Sequence, residues 1–234
     1  VNPYTGEVLE VKDMQKGFFR FILDGHFYLW LPPEIGQPVV ASVTVLFMLM
    51  LISGIVLWIP QKIRHLKSRL WFHWSNRTRW RRKNYDIHNI SGFYGLLFGL
   101  FFAITGLYWG FEIFAQGYYK LLGGEKELLY TEPQSGKGLM PESGTHPLNV
   151  VWTRMMEEYP QAVSIEVHPP ETTSSPIAAN ANFEQGTYWK TDYRYFDQYS
   201  LKEMEVDHIF GRLKNQEFAD RVVKMNYDLH TGAV

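Results

Sequence analysis

The 234-residue chain carries 23 Lys+Arg against 24 Asp+Glu, is 46% hydrophobic and 16% aromatic, and has no cysteine. The missing cysteines exclude a disulfide framework and Cys-ligated zinc or iron–sulfur centres. The net charge of -1 is unevenly spread: nine of the 23 basic residues crowd into Lys62–Lys83, so the remainder is acidic.

In chain order, residues 1–15 open with Asn2-Pro3-Tyr4-Thr5-Gly6, a turn between apolar positions that reads as the last hairpin of a small outer β domain. Residues 16–37 hold Lys16–Leu31, an aromatic amphipathic run halted by Pro32-Pro33, expected to lie as a short helix at a membrane surface. Ile35–Gln61 has no charged residue. A transmembrane helix is expected over 38–60, opening at Pro38 and ended by Pro60, because about 20 apolar residues cross a hydrocarbon core of about 30 Å.

The basic segment 61–85 follows, with the run KIRHLKSRLWFHWSNRTRWRRK. Short basic loops stay on the cytoplasmic side. Lying between two spans, this one is expected to meet anionic lipid headgroups and not nucleic acid. A second span is expected over 86–114, with Asp86 as N-cap and His88 in the first turn. Gly92, Gly95, Gly99 and Thr105-Gly106 are small residues that let another helix, or a flat cofactor, come close. Tyr28, Trp30, Trp58, Trp71, Trp74, Trp80 and Trp109 suit interfacial belts.

Residues 115–145 are rich in Gly, Pro, Ser and Glu and read as a linker. Residues 146–226 read as a small α+β domain, expected outside the membrane. Leu148, Val151, Trp152, Met155, Met156 and Tyr159 fall on one helix face. Ala162–Val167, Ile177–Phe183, Tyr188–Phe196 and Met204–Val206 are strand candidates, and Glu217–Met225 is a second helix. Residues 227–234 read as the start of a further span. With Val1 in place of Met and the abrupt close NYDLHTGAV, the chain reads as part of a longer membrane protein.

Two internal echoes stand out. Asn2–Val11 resembles Asp197–Val206, and Asp-x-His occurs three times, at Asp24/His26, Asp86/His88 and Asp228/His230. The plain reading is helix capping with interfacial histidine. The functional reading is a repeated unit that presents imidazole at a membrane boundary, where histidine is costly to hide unless paired or ligated. Neutral imidazole is the usual axial ligand of haem iron, and a b-type haem needs no cysteine. His26 and His230 are expected on the outer side and His88 on the inner side, about 33 Å apart along one helix. His65 and His73 are expected to be solvated or lipid-facing in the basic loop; His146, His168 and His208 read as surface residues. No phosphate loop, Gly-x-Ser-x-Gly elbow or His-Glu-x-x-His is present.

Taken together, VNPYTGEVLEV, DGHFYLWLP, SGIVLWIPQK, YDIHNISGFYG, ITGLYW and YDLHTG resemble the PepSY-associated transmembrane proteins over nearly the whole chain. That family includes bacterial inner-membrane iron-uptake reductases of the ferric-siderophore type. The resemblance implies an α-helical integral membrane protein: a transmembrane hairpin within a four-helix core, with a small extracytoplasmic α+β PepSY-like domain at 146–226 and the end of another at 1–15. It implies haem b, one or two, with His88, His230 and His26 as axial ligands of the iron. The implied partners are the lipid bilayer, a cytoplasmic electron donor, a ferric-siderophore-type complex and other membrane subunits. Two functions stay open: a haem-b transmembrane reductase, or a non-enzymatic accessory subunit whose outer domain binds a partner polypeptide. A small-molecule transporter would carry charges within its spans, and Ile35–Gln61 has none.

Overall fold

The computed structural model describes residues 2, 4–138 and 144–233. Its chain divides into two compact units, Val1–Glu112 and Ile113–Val234.

In the first unit the Asn2–Gly6 turn forms: Asn2 N–H donates to the Glu7 carbonyl (2.8 Å), Gly6 N–H donates to the Asn2 carbonyl (2.9 Å), and Gly6 takes φ 72°. No strand flanks it among the described residues, so the expected hairpin is a turn only. Val8, Leu9 and Val11 are exposed, and two strands with nothing packed on them are marginal.

Helix α1 (Phe18–Tyr28) matches the expected amphipathic run, but the prolines do not end it. Leu29 and Trp30 turn left-handed (φ 53° and 57°), and their N–H groups cap the Gly25 and Asp24 carbonyls. The Trp30 ring folds back to stack on Phe21 (5.0 Å) and donates from Nε1 to the Phe21 carbonyl (2.8 Å). That ring fills the space a Gly25 side chain would need.

Pro33, freed from stopping α1, takes the first turn of α2 (Pro33–Trp58), which starts five residues before Pro38. After a single 3₁₀ turn (Ile63–His65) and the short α3 (Leu66–Arg69), α4 runs Trp80–Gly110. It starts before Asp86 and ends before Phe114, where Phe111 adopts an extended conformation (φ -140°). Asp86 is therefore not an N-cap, and His88 lies past the second turn. The helix starts six residues earlier, at Trp80, which leaves Asp86 inside it, paired with Arg82 one turn back and with the Trp74 indole.

Both α2 (26 residues) and α4 (31 residues) are long and apolar enough to cross a membrane, with mean hydropathy 2.6 and 1.8. Only 6% of the first apolar window and 22% of the second is buried, unlike the core helix of a water-soluble protein. They pack antiparallel. Trp58 stacks on Phe93 (4.1 Å) at one end, while at the other Gln37 donates to the Trp109 carbonyl (3.0 Å) and Ala41 fits against Gly110.

The second unit begins with α5 (Glu112–Leu121). Much of the expected linker is integral to this unit: Glu127 pairs in parallel with His208, and the Ser135 N–H donates to the Ser174 carbonyl (2.8 Å). Part of that linker, residues 139–143, lies outside the described residues. Helix α6 (Pro147–Glu158) covers an antiparallel sheet of order β1-β2-β3-β4, namely Ser164–His168, Ile177–Asn182, Thr191–Phe196 and Glu203–Met204. Val151, Met155, Ile177, Ala179, Ala181 and Phe196 form its core. Burial opposes charge on Arg194, but bonds to Glu203 and Glu158 outweigh it and hold the guanidinium above its ordinary pKa. After a 3₁₀ turn (Leu213–Asn215), α7 (Phe218–Thr231) is one continuous helix capped by left-handed Gly232. The tract 227–231 is the last part of α7.

Glu203 accepts from both Nε (3.1 Å) and a terminal nitrogen (2.5 Å) of Arg194, a side chain that is 1% exposed. Stripping a buried charge of its main partner is costly, so Glu203→Ala is expected to destabilise the protein by about 3 kcal/mol. Glu166→Ala, at an exposed position on β1, should stay within about 0.5 kcal/mol. Thermal unfolding followed by circular dichroism separates the two.

Candidate functional site

The Asp-x-His motifs share one construction. On a helix, residues two apart point about 200° away from each other. Asp86 is buried: it accepts from Arg82 Nε (2.9 Å) and from Trp74 Nε1 (3.1 Å). His88, two residues on, is exposed. Asp24 likewise pairs with Arg20 one turn before it (2.9 Å), and His26 is exposed with its ring 5.5 Å from Phe27. Asp228 is wholly buried and accepts from the Tyr188 N–H (2.9 Å) and the Trp189 N–H (2.9 Å), while His230 is half-buried. Asp86 and Asp228 thus tie their helices to neighbouring segments of their own units, whereas Asp24 pairs within its own helix; in each motif the histidine lies on a different side of the helix from the acid.

The repeat is longer than Asp-x-His. Asn84-Tyr85-Asp86-Ile87-His88 and Asn226-Tyr227-Asp228-Leu229-His230 agree at four of five positions, and a basic residue, Arg82 or Lys224, precedes each Asp by four. Tyr85 and Tyr227 are both exposed. A direct comparison of the chain with itself reveals this signal, which counting Asp-x-His alone misses.

His88 opens a small-residue face. Gly92 and Gly95 follow at four and seven residues, and a Cβ added to either would meet nothing within 4 Å. Gly99, farther along, is closed by Leu51 and Phe47 of α2. The face is thus open for about 10 Å from the imidazole, a shape that accepts a flat ring or a second helix. His26 and His88 stand at opposite ends of the hairpin: α1 packs at the start of α2 through Tyr28 and Gly36, and α4 enters beside the end of α2. Among the described residues no three His, Cys, Asp or Glu side chains are placed to hold a bare metal ion. A single imidazole beside an open glycine face has the nitrogen donor and the flat space that an imidazole-ligated porphyrin would need.

In the second unit α7 is fixed along one face by residues four apart. Asp220 accepts from Tyr119 Oη (2.5 Å) and Lys126 Nζ (2.6 Å) and completes a capping box with Glu217. Lys224 Nζ donates to the Thr191 carbonyl (2.8 Å) and lies over the Tyr193 ring (4.8 Å). Asp228 then holds the loop before β3, so the helix carrying His230 is anchored three times.

Of the remaining histidines, His65, His73, His146 and His168 are exposed as expected, and His208 departs from the surface reading. His208 is buried among Tyr130, Tyr195 and Phe210, its Nδ1 accepts from the Phe210 N–H (3.1 Å), and burial pushes its pKa down. It borders a cavity of about 510 Å³ with Tyr195, Glu203, Arg212 and Gln216. His146 accepts from the Leu148 N–H (3.3 Å) as the cap of α6, and His168 pairs with Glu166 (3.3 Å) at an exposed strand. His65 and His73 lie exposed in the basic segment.

A family model described as the PepSY-associated TM region matches residues 1–234, the whole chain. Among curated proteins, none matches.

Burial pushes the Lys224 amine down from 10.5 to about 8, against the nearby carboxylates of Asp192, Asp220 and Asp228. Between those two values the unfolded chain binds a proton that the folded chain releases, so this group makes stability rise with pH across the window. The difference in unfolding free energy between the parent protein and Lys224→Met should accordingly grow by about 3 kcal/mol in favour of the parent from below to above the window. A chemical-denaturation series at stepped pH measures it.

Proposed function

This chain belongs to the PepSY-associated TM family, and on that premise we propose that it is a haem-b-containing inner-membrane reductase. It passes electrons from a cytoplasmic donor across the membrane to an extracytoplasmic ferric complex of the siderophore type. In this reading α2 and α4 are two spans of a four-helix core, the basic segment faces the cytoplasm, and the α+β unit lies outside. The carrying observation is His88 beside the open Gly92/Gly95 face. His88 is the candidate ligand near the inner face; His26 and His230 are the candidates near the outer face. A b-type haem ligated by imidazole supplies reversible one-electron chemistry.

The chain's own residues do the rest. Asp86, tied to Trp74 of the preceding segment, restrains the roll of α4 and so the direction of His88. Asp228, tied to the Tyr188 and Trp189 N–H groups, does the same for His230. Gly92 and Gly95 would leave room for the macrocycle beside His88. In the rival reading, an accessory subunit, the same aspartates merely hold helices and the histidines are bystanders. The observation in its favour is that the anchoring accounts for the Asp residues without any cofactor.

A reduced-minus-oxidised difference spectrum of the purified protein, expressed with haem supplied, separates the readings. The reductase reading expects Soret and α bands of low-spin b haem. His88→Ala should remove one component, and His230→Ala or His26→Ala should remove or broaden another, with helical content unchanged. A featureless spectrum, together with normal assembly of the His88→Ala/His230→Ala double variant, would leave the accessory role standing.

A further inference from the structure

The segment between the two long helices concentrates charge without compensation. Residues 35–85 contain no Asp or Glu, while Lys62, Arg64, Lys67, Arg69, Arg77, Arg79, Arg81, Arg82 and Lys83 are all basic. Outside this segment the chain has 14 Lys+Arg against 24 Asp+Glu (23 - 9 = 14), so the two parts carry +9 and -10. Among the described residues the one ion pair that reaches these nine is Arg82 with Asp86. Arg64, Lys67, Arg77, Arg79 and Arg81 are exposed.

The segment is not a loose tether. Arg69 donates to the Trp58 carbonyl at the end of α2. Tyr94 Oη of α4 donates to the Leu70 carbonyl (3.1 Å), and Trp74 Nε1 donates to Asp86 (3.1 Å). These three ties fold the segment against the ends of both apolar helices, where a bilayer's hydrocarbon gives way to headgroups. Its aromatic residues are also turned outward: Trp71 is 69% and Trp80 71% exposed. Exposed tryptophan leaves apolar area in water, and of the arginines beside it only Arg82 has an acidic partner among the described residues. The combination suits a phosphate-bearing interface, where indole sits at headgroup level and guanidinium grips phosphate oxygens in a fork.

We propose that Lys62–Lys83 is a binding site for anionic phospholipid headgroups, holding a shell of phosphatidylglycerol-type lipid around one end of the α2/α4 hairpin. The occupant is lipid and not an acidic protein, because the ties seat the charges at the helix ends and the aromatic side chains share the same surface. Each basic residue near an anionic leaflet adds about fivefold in partitioning at moderate salt, so even partial engagement of these residues gives clear selectivity. The inference is independent of the histidines and holds whether or not the protein carries haem.

The full chain is reconstituted into phosphatidylcholine vesicles doped with spin-labelled phosphatidylglycerol or spin-labelled phosphatidylcholine, and the motionally restricted fraction of each is read by electron paramagnetic resonance. The restricted fraction of phosphatidylglycerol should exceed that of phosphatidylcholine at least about twofold at 0.1 M salt, with the excess shrinking at 1 M as screening shortens to about 3 Å. The triple variant Arg77→Gln/Arg79→Gln/Arg81→Gln, altered at exposed positions, should lose most of that excess while keeping its helical circular dichroism. Equal restriction of the two lipids by the parent protein, or undiminished selectivity in the triple variant, overturns the proposal. So does absent lipid selectivity combined with arginine-dependent capture of an acidic polypeptide such as polyglutamate, which would assign the surface to a protein partner.

Discussion

A carboxylate buried in a helix must find donors, and in this chain that requirement sets where the histidines stand. Asp86 finds Arg82 and the Trp74 indole; Asp228 finds two backbone N–H groups of the loop before β3. The bonds to Trp74 and to the loop before β3 reach another segment and so restrain the roll of each helix. Helical geometry then points the residue two positions later in another direction, and that residue is histidine each time. The third copy, Asp24 with Arg20, is looser and half-exposed. Its helix is held by other means, through Trp30 folded over Gly25 and Tyr28 against Gly36. One local rule thus serves two differently built units, and it ties an ordinary stability device to the presentation of a chemically useful ring.

The second organising constraint is the separation of charge from apolar length. With no acid between residues 35 and 85, the basic residues cannot neutralise themselves within their own stretch. The sheet unit behaves in the opposite way. Arg194, Arg212 and Arg154 share Glu203, Glu158 and Asp192 in a closed network, and Lys126 is consumed by Asp220. One part of the chain pairs its buried charges internally. The other leaves its charges facing outward beside exposed tryptophan, which marks it as an interface.

The two long helices were legible in the sequence because their apolar runs exceed what a small soluble core needs. The sheet was legible because alternation in Ile177–Asn182 and Thr191–Phe196 is a local signal. Boundaries were harder. Pro32-Pro33 and Pro38 read as stop and start, yet a left-handed turn at Leu29 and Trp30 ends α1 first, and Pro33 then starts α2. That outcome depends on the Trp30 ring stacking on Phe21, a contact no periodicity encodes. Asp86 reads as a cap for the same kind of reason: its partners lie four and twelve residues back, and only the folded segment brings Trp74 to it. The histidine positions were visible as Asp-x-His. Their longer Asn-Tyr-Asp-x-His frame is equally present in the sequence, but the burial of His208 was not legible, since it arises from Tyr130 and Tyr195 meeting across the fold.

The central claim is that His88 looks along a glycine face that receives a flat ligand. Gly95→Val tests it most directly, because a Cβ at that position meets nothing within 4 Å among the described residues and the helix should stay intact. Haem bound per protein is measured by pyridine haemochrome assay for the parent and the variant, expressed and purified side by side. The account predicts that Gly95→Val loses a large part of its haem at unchanged helical content; a haem-to-protein ratio equal to the parent's would contradict it.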